Sequence, residues 1–139
     1  MAAGHKEIIY FSMATKAVGT HKSERMRHAI VTDKSTLFIK TDGLGAAGTI
    51  QVKLYSAFNY RAELEAGTWN PNTSDMYWNL VETVPTTGTL SASDFTDLDG
   101  DGKMAYHESI GHPIAPNTII QLIVAGNPID VEVGIMVGI

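Results

Sequence analysis

Apolar and polar side chains alternate with a period of two along several stretches of this chain. In residues 49–55, every second side chain from Ile50 onwards is aliphatic. Residues 129–137 repeat the pattern, with valine or isoleucine at every second position from Val131 onwards. This period is typical of a half-buried β-strand, because successive side chains of a strand point to opposite faces of its sheet.

Other segments with strand-like patterns complete a predicted all-β chain. They are residues 7–14, 26–32, 37–39, 77–84 and 119–125. The almost wholly apolar segment 119–125 predicts a central strand that is buried on both faces or lies against a partner. About seven to eight short strands separated by glycine- and proline-containing turns favour a single β-sandwich or jelly-roll-like domain with short helical turns.

Two glycine-containing segments are predicted to be the turns of β-hairpins. Residues 126–128 (GNP) separate the last two strands, and residues 42–48 (DGLGAAG) separate residues 37–41 from residues 49–55. The second segment contains a literal G-x-G-x-x-G. A dinucleotide site needs a helix after that motif, and here a strand follows, so we expect a turn and no dinucleotide.

The length and charge of the chain limit its domain organisation and its partners. With 139 residues it is predicted to form one domain over residues 7–139, with residues 1–6 as a flexible N-terminal arm. Charged residues make up only 18%, which suggests that a partner covers part of the surface. The net charge of −5 gives no support for a nucleic-acid partner, so none is expected, and the basic run 21–28 (HKSERMRH) is predicted to be a solvated turn.

The chain contains no cysteine, so disulfides, thiolate metal sites and cysteine nucleophiles are excluded. Its N-terminal residues do not have the pattern of a signal peptide, and no apolar run reaches the about 18–20 residues that a membrane helix needs. We therefore expect a soluble, unsecreted protein that folds in a reducing cytoplasm and has no membrane partner.

Residues 97–108 (DLDGDGKMAYHE) begin with three aspartates at every second position and end with a glutamate. Calcium prefers six to eight oxygen ligands, which a short loop supplies when its carboxylates alternate in this way. Gly102 stands where a sharp turn requires a residue without a β-carbon. The spacing predicts a calcium site whose ligands are the carboxylates of Asp97, Asp99, Asp101 and Glu108 and the backbone carbonyl of Lys103.

This loop resembles the EF-hand calcium loop and the related loops of dockerins. The best helical patterns of the chain, at residues 91–96 and 105–110, lie on either side of this loop, and residues 90–95 look like a brief EF-hand entry helix. Ala105 stands at a ligand position, where a water would complete the shell, and Met104 replaces the residue that would pair with a second hand. A lone hand favours a structural ion over a calcium sensor.

No combination of residues predicts catalysis, so we expect a non-enzymatic protein. No serine lies in a G-x-S-x-G elbow, and the acidic loop is already explained by metal ligation. Several aromatic residues are concentrated between Tyr55 and Trp78. Most are expected in the core or a subunit interface, while Tyr60, Trp69 and Trp78 are candidates for an interface or for stacking on a glycan.

In its strand order the chain is similar to small β-sandwich proteins of tailed-phage particles. The residues that carry this resemblance are TIQVKLY at 49–55, SDMYWNL at 74–80, and the final segments NTIIQLIVAG and IDVEVGIMVGI. The resemblance implies a capsid decoration or cement protein, a virion component that assembles in the host cytoplasm. It further implies the major capsid protein or other virion subunits as partners, and a homo-oligomer such as a trimer.

A calcium-stabilised carbohydrate-binding module is the alternative. It would use Tyr60, Trp69 and Trp78 as stacking rings. The sequence predicts neither an export signal nor a linker to an enzyme, and both points disfavour this alternative.

Overall fold

The computed structural model describes residues 5–27, 35–45, 47–57, 78–111, 114 and 117–138. In these residues the chain forms β-strands and one turn of 3-10 helix at Ala92–Asp94. The strands are β1 (His5–Lys16), β2 (Gly19–Lys22), β3 (Met26–Arg27), β4 (Ser35–Thr41), β5 (Thr49–Ala57), β6 (Asn79–Val84), β7 (Met104–Ile110), β8 (Asn117–Ala125) and β9 (Ile129–Gly138). Within these ranges, no helix has the length and apolarity to cross a membrane.

The strands form an all-β sandwich of two antiparallel sheets, as the alternation predicted. The first sheet has the order β1-β9-β4-β7, and the second has the order β2-β8-β5-β6, with the two-residue β3 also paired to β8. Residues 28–32 of the predicted strand 26–32 lie outside the described residues, as do residues 1–4 of the predicted arm.

The inward faces of the two sheets form the hydrophobic core. The predicted inward residues of β5 and β9 are all buried, and they pack against the inward residues of β4 and β8. Aliphatic side chains suit this position because β-branched and leucine residues pack well on a pleated surface. The core residues of these four strands are Leu37, Ile39, Ile50, Val52, Leu54, Ile120, Leu122, Val124, Ile129, Val131, Val133, Ile135 and Val137.

The two predicted hairpins are wrong, because each glycine segment carries the chain from one sheet to the other. β4 and β9 belong to the first sheet, whereas β5 and β8 belong to the second. The two crossings pack against each other: Asn127 donates a hydrogen bond from Nδ2 to the Leu44 carbonyl at 2.9 Å. A methyl group on Gly126 would lie 1.8 Å from the Ala47 carbonyl oxygen, so only glycine permits this close approach.

The basic run 21–28 is not a turn over its described part. Lys22 ends β2, Met26 begins β3, and both strands pair with β8 as one interrupted edge strand. At the interruption, Ser23 makes the two hydrogen bonds to β8 that a strand residue would make. Its amide donates to the Ile120 carbonyl, and its side-chain hydroxyl, in place of a backbone carbonyl, accepts from the Ile120 amide, both at 2.9 Å.

Candidate functional site

The acidic segment belongs to the connection between β6 and β7. It is preceded by the single 3-10 turn at Ala92–Asp94, where a longer helical fragment was predicted. The carboxylate of Asp94 accepts a hydrogen bond from the Ser91 amide at 2.8 Å, which fixes the start of this turn. Phe95 is buried, with its ring centroid 5.9 Å from that of Tyr106, and this contact attaches the connection to the core.

Residues 97–103 form a compact loop that is held by its own aspartates. The Asp97 carboxylate accepts the Gly102 amide at 3.1 Å, and the Asp101 carboxylate accepts the Lys103 amide at 3.0 Å. Gly102 has a φ of +84°, a left-handed conformation that glycine adopts without steric cost. The predicted requirement for glycine at this position is therefore met by the backbone geometry.

The exit from the loop is a strand, and the helical fragment predicted at residues 105–110 is wrong. Residues 104–110 form β7, the edge strand beside β4, and their side chains alternate between half-buried and exposed. A strand rises about 3.3 Å per residue, so Glu108 lies about 13 Å along the sheet from Met104. A helical exit would instead turn the last ligand back towards the loop.

Glu108 lies on the inward side of β7 and has a partner of its own. The Tyr106 hydroxyl donates a hydrogen bond to Glu108 Oε1 at 3.2 Å. Burial, followed by the nearby negative charges of Glu108 and Asp94, raises the pKa of Tyr106. The phenol therefore stays protonated and remains a donor to this carboxylate.

The described part of the chain contains no group of three or more histidine, aspartate or glutamate side chains placed to hold a metal ion. Asp97, Asp99, Asp101 and Lys103 share the exposed loop, whereas Glu108 lies apart on the strand. Calcium binding stays a prediction, and it requires the carboxylates to move closer together than they are in this structure.

A second feature is an open groove of about 260 Å³ on the second sheet. Its lining combines apolar and aromatic side chains with two cations and one amide: Lys22, Arg25, Tyr55, Trp78, Ile119 and Gln121. We call this surface the groove.

The strand register places the lining residues of the groove together. Tyr55 is directly opposite Ile119, and Lys22 is directly opposite Gln121, so all four share the outward face of the sheet. Ile119 is only 6% exposed although it faces outwards, so neighbouring groups on this face cover most of its side chain. The run of apolar residues predicted for this strand therefore supplies part of the groove.

Arg25 and Trp78 form one wall of the groove. The guanidinium of Arg25 lies over the indole ring, with 5.7 Å between Cζ and the ring centroid. This is the geometry of a cation–π contact. Arg25 lies between β2 and β3, two residues after Ser23, which bonds to Ile120 of β8. Arg25 is therefore not part of a regular strand.

Of the three predicted aromatic candidates, the structure places Trp78 in the groove. Tyr60 and Trp69 lie outside the described residues. Sequence reasoning missed Lys22 and Arg25 as site residues, because a broken edge strand looked like a charged turn. One signal could have found them: the strand predicted at residues 26–32 begins inside the basic run 21–28, which indicates that this run continues into a strand.

No protein-family model, curated protein or solved structure matches this chain.

Proposed function

We propose that this protein is a non-enzymatic structural component of an assembled particle, which binds its partner subunit through the groove. The observation that carries the proposal is the composition of this surface. Tryptophan, tyrosine and arginine are the residues most enriched among those that dominate protein–protein binding. Here Trp78, Tyr55 and Arg25 meet on one face of a sheet.

The size and surroundings of the groove also favour a protein partner. Pockets for small ligands usually have volumes of about 300–1,000 Å³ and enclose most of the ligand. This groove is smaller, at about 260 Å³, and open. Leu80, which lies opposite Tyr55 in the register of β5 and β6, is 48% exposed and extends the apolar surface beyond the groove.

The particle that we propose is a phage virion, with this chain as a capsid decoration or cement protein. The support is the similarity of strand order stated above, in which β5, the segment that contains Trp78, and the last two strands carry the resemblance. The partner would be the major capsid protein or another virion subunit. The chain would assemble in the host cytoplasm as a homo-oligomer such as a trimer, with calcium holding the loop at residues 97–108.

Co-sedimentation with capsid shells tests this proposal. We expect the purified protein to pellet with shells, and Trp78→Ala to lose most of that binding because it removes the largest ring of the groove. Met136→Ala is the matched control, since Met136 is 37% exposed on the opposite sheet. Absence of the protein from purified particles, or equal binding by both variants, would overturn the proposal.

One observation favours the alternative, a calcium-stabilised carbohydrate-binding module. Trp78 lies in an open groove beside the amide of Gln121, and sugars stack on aromatic rings while amides bind their hydroxyls. The guanidinium of Arg25 lies over the Trp78 ring, so a sugar would have to stack on the other face. Glycan-array binding that Trp78→Ala abolishes would favour this alternative, and a blank array together with particle binding would remove it.

A further inference from the structure

The tip of the acidic loop carries the opposite charge to the groove. Leu98 is 87% exposed, the most exposed of the large hydrophobic residues described in this structure. Asp97 and Asp99 flank it, and both are exposed. The tip is therefore one apolar side chain between two carboxylates.

The groove offers the matching arrangement. Its floor contains Ile119 and Tyr55, and its cations are Lys22 and Arg25. An apolar centre with positive charges at its margin complements an apolar knob with negative charges at its margin. The positive charge of Arg25 takes part in this complementarity, and its contact with Trp78 does not have to be broken.

The loop and the groove lie at opposite ends of the sandwich, so they cannot meet within one molecule. Met104 begins β7 opposite Thr41, the last residue of β4, which places the loop at the end where the chain crosses between sheets. The row that joins Tyr55 and Ile119 lies six residues along β5 from Thr49 at that end, or about 20 Å.

We propose that the Asp97–Asp99 tip of one copy docks into the groove of a second copy. Leu98 would contact the floor formed by Ile119 and Tyr55, while the flanking carboxylates would face Lys22 and Arg25. The interface joins two different surfaces, so association is head to tail and builds rings or open chains instead of a symmetric dimer. The inference rests on the proposed assembly function and identifies one partner as the chain itself.

The first experiment measures self-association of the full chain by analytical ultracentrifugation in a chelator, over a wide range of protein concentration. Leu98→Ser should weaken association at least about tenfold, because it removes the buried part of the contact. Val18→Ser is the matched control: Val18 is 54% exposed and lies between β1 and β2, at the other edge of the sandwich. Equal association of the two variants would overturn the proposal.

The second experiment reverses charge on each surface in turn. Asp99→Lys and Lys22→Glu should each associate about tenfold more weakly alone, because like charges then face each other. Neither change disturbs the two hydrogen bonds that hold the loop, which use Asp97 and Asp101. Mixing the two variants should restore association, since each loop then meets a groove of opposite charge.

A monomeric chain at every concentration, or no recovery on mixing, would overturn docking between copies. Binding of such a monomer to capsid shells would leave the proposed function standing, so the two failures are distinguishable. Salt provides an independent readout: association should weaken as ionic strength rises, because exposed charges are screened beyond about 10 Å at 0.1 M. Association that does not change with salt would count against the charged contacts.

Discussion

Gly134 lies in the middle of β9, between Ile9 of β1 and Phe38 of β4. Phe38 faces outwards from its sheet, yet it is only 4% exposed because its ring lies on the glycine. A methyl group on Gly134 would lie 2.4 Å from Phe38 Cζ and 2.8 Å from the Ile8 carbonyl oxygen. We therefore predict that Gly134→Ala destabilises the sandwich.

The magnitude follows from the two contacts. Carbon atoms pack at about 3.5–4.0 Å, so the ring would have to move by more than about 1 Å. The Ile8 carbonyl belongs to the backbone of the neighbouring strand and cannot rotate away. Overpacking of this kind costs about 1–3 kcal/mol. Alanine recovers about 0.5–1 kcal/mol relative to glycine in a strand, which leaves a net loss centred on about 1 kcal/mol and at most about 2.5 kcal/mol.

Urea denaturation measures this loss, and thermal unfolding should show a melting temperature about 3–10 °C lower. Gly111→Ala is the matched control, because a methyl group there would meet no atom within 4 Å. The backbone φ of neither glycine is positive, so neither alanine carries backbone strain. If Gly134→Ala were as stable as Gly111→Ala, the contact of the Phe38 ring with β9 would be wrong.

Three further changes test the loop, the core and the crossings. Calcium at a hundredfold excess over its dissociation constant should stabilise the wild type by about 2.7 kcal/mol, and Asp97→Ala should abolish the rise in melting temperature. Burial raises the pKa of Tyr10 well above its ordinary value. Its stabilising contribution is therefore full below about pH 10 and falls as the unfolded tyrosine ionises above it. Tyr10→Phe should flatten that alkaline loss in urea titrations, and at neutral pH it should cost about 0.5–1.5 kcal/mol through its hydrogen bond to Thr118. Asn127→Ala should cost about 1 kcal/mol by the same measurement, because it removes the bond to Leu44; a neutral result would mean that this bond does not hold the crossings together.

The sequence pattern predicted the strands well because the signal is local. Each inward residue of β5 and β9 could be read from the alternation, since burial of one sheet face requires apolar residues at every second position. The same pattern does not say which sheet a strand joins. Residues 42–48 and 126–128 looked like hairpin turns, and the decisive fact, that the two segments pack against each other, is a contact between residues about 80 positions apart.

The candidate site was predicted less completely than the fold. The spacing of Asp97, Gly102 and Lys103 anticipated a tight loop, and its backbone geometry agrees. The direction of the chain after Met104 depends on its pairing with β4, which no property of the loop itself reveals. The groove was missed for a related reason: Lys22 and Arg25 are distant in sequence from Trp78, and only the interrupted edge strand brings them together.

Calcium binding and docking between copies use the same carboxylates, Asp97 and Asp99. The two events should therefore oppose each other. A bound Ca²⁺ would draw Asp97 and Asp99 towards itself and cancel their charge, which removes the attraction between the loop and the cations of the groove. Calcium should then weaken head-to-tail association, and by reciprocity association should weaken calcium binding by the same factor. If calcium instead strengthens association, the ion must order the loop while other groups meet the groove, and the contact of Asp99 with Lys22 would have to be abandoned.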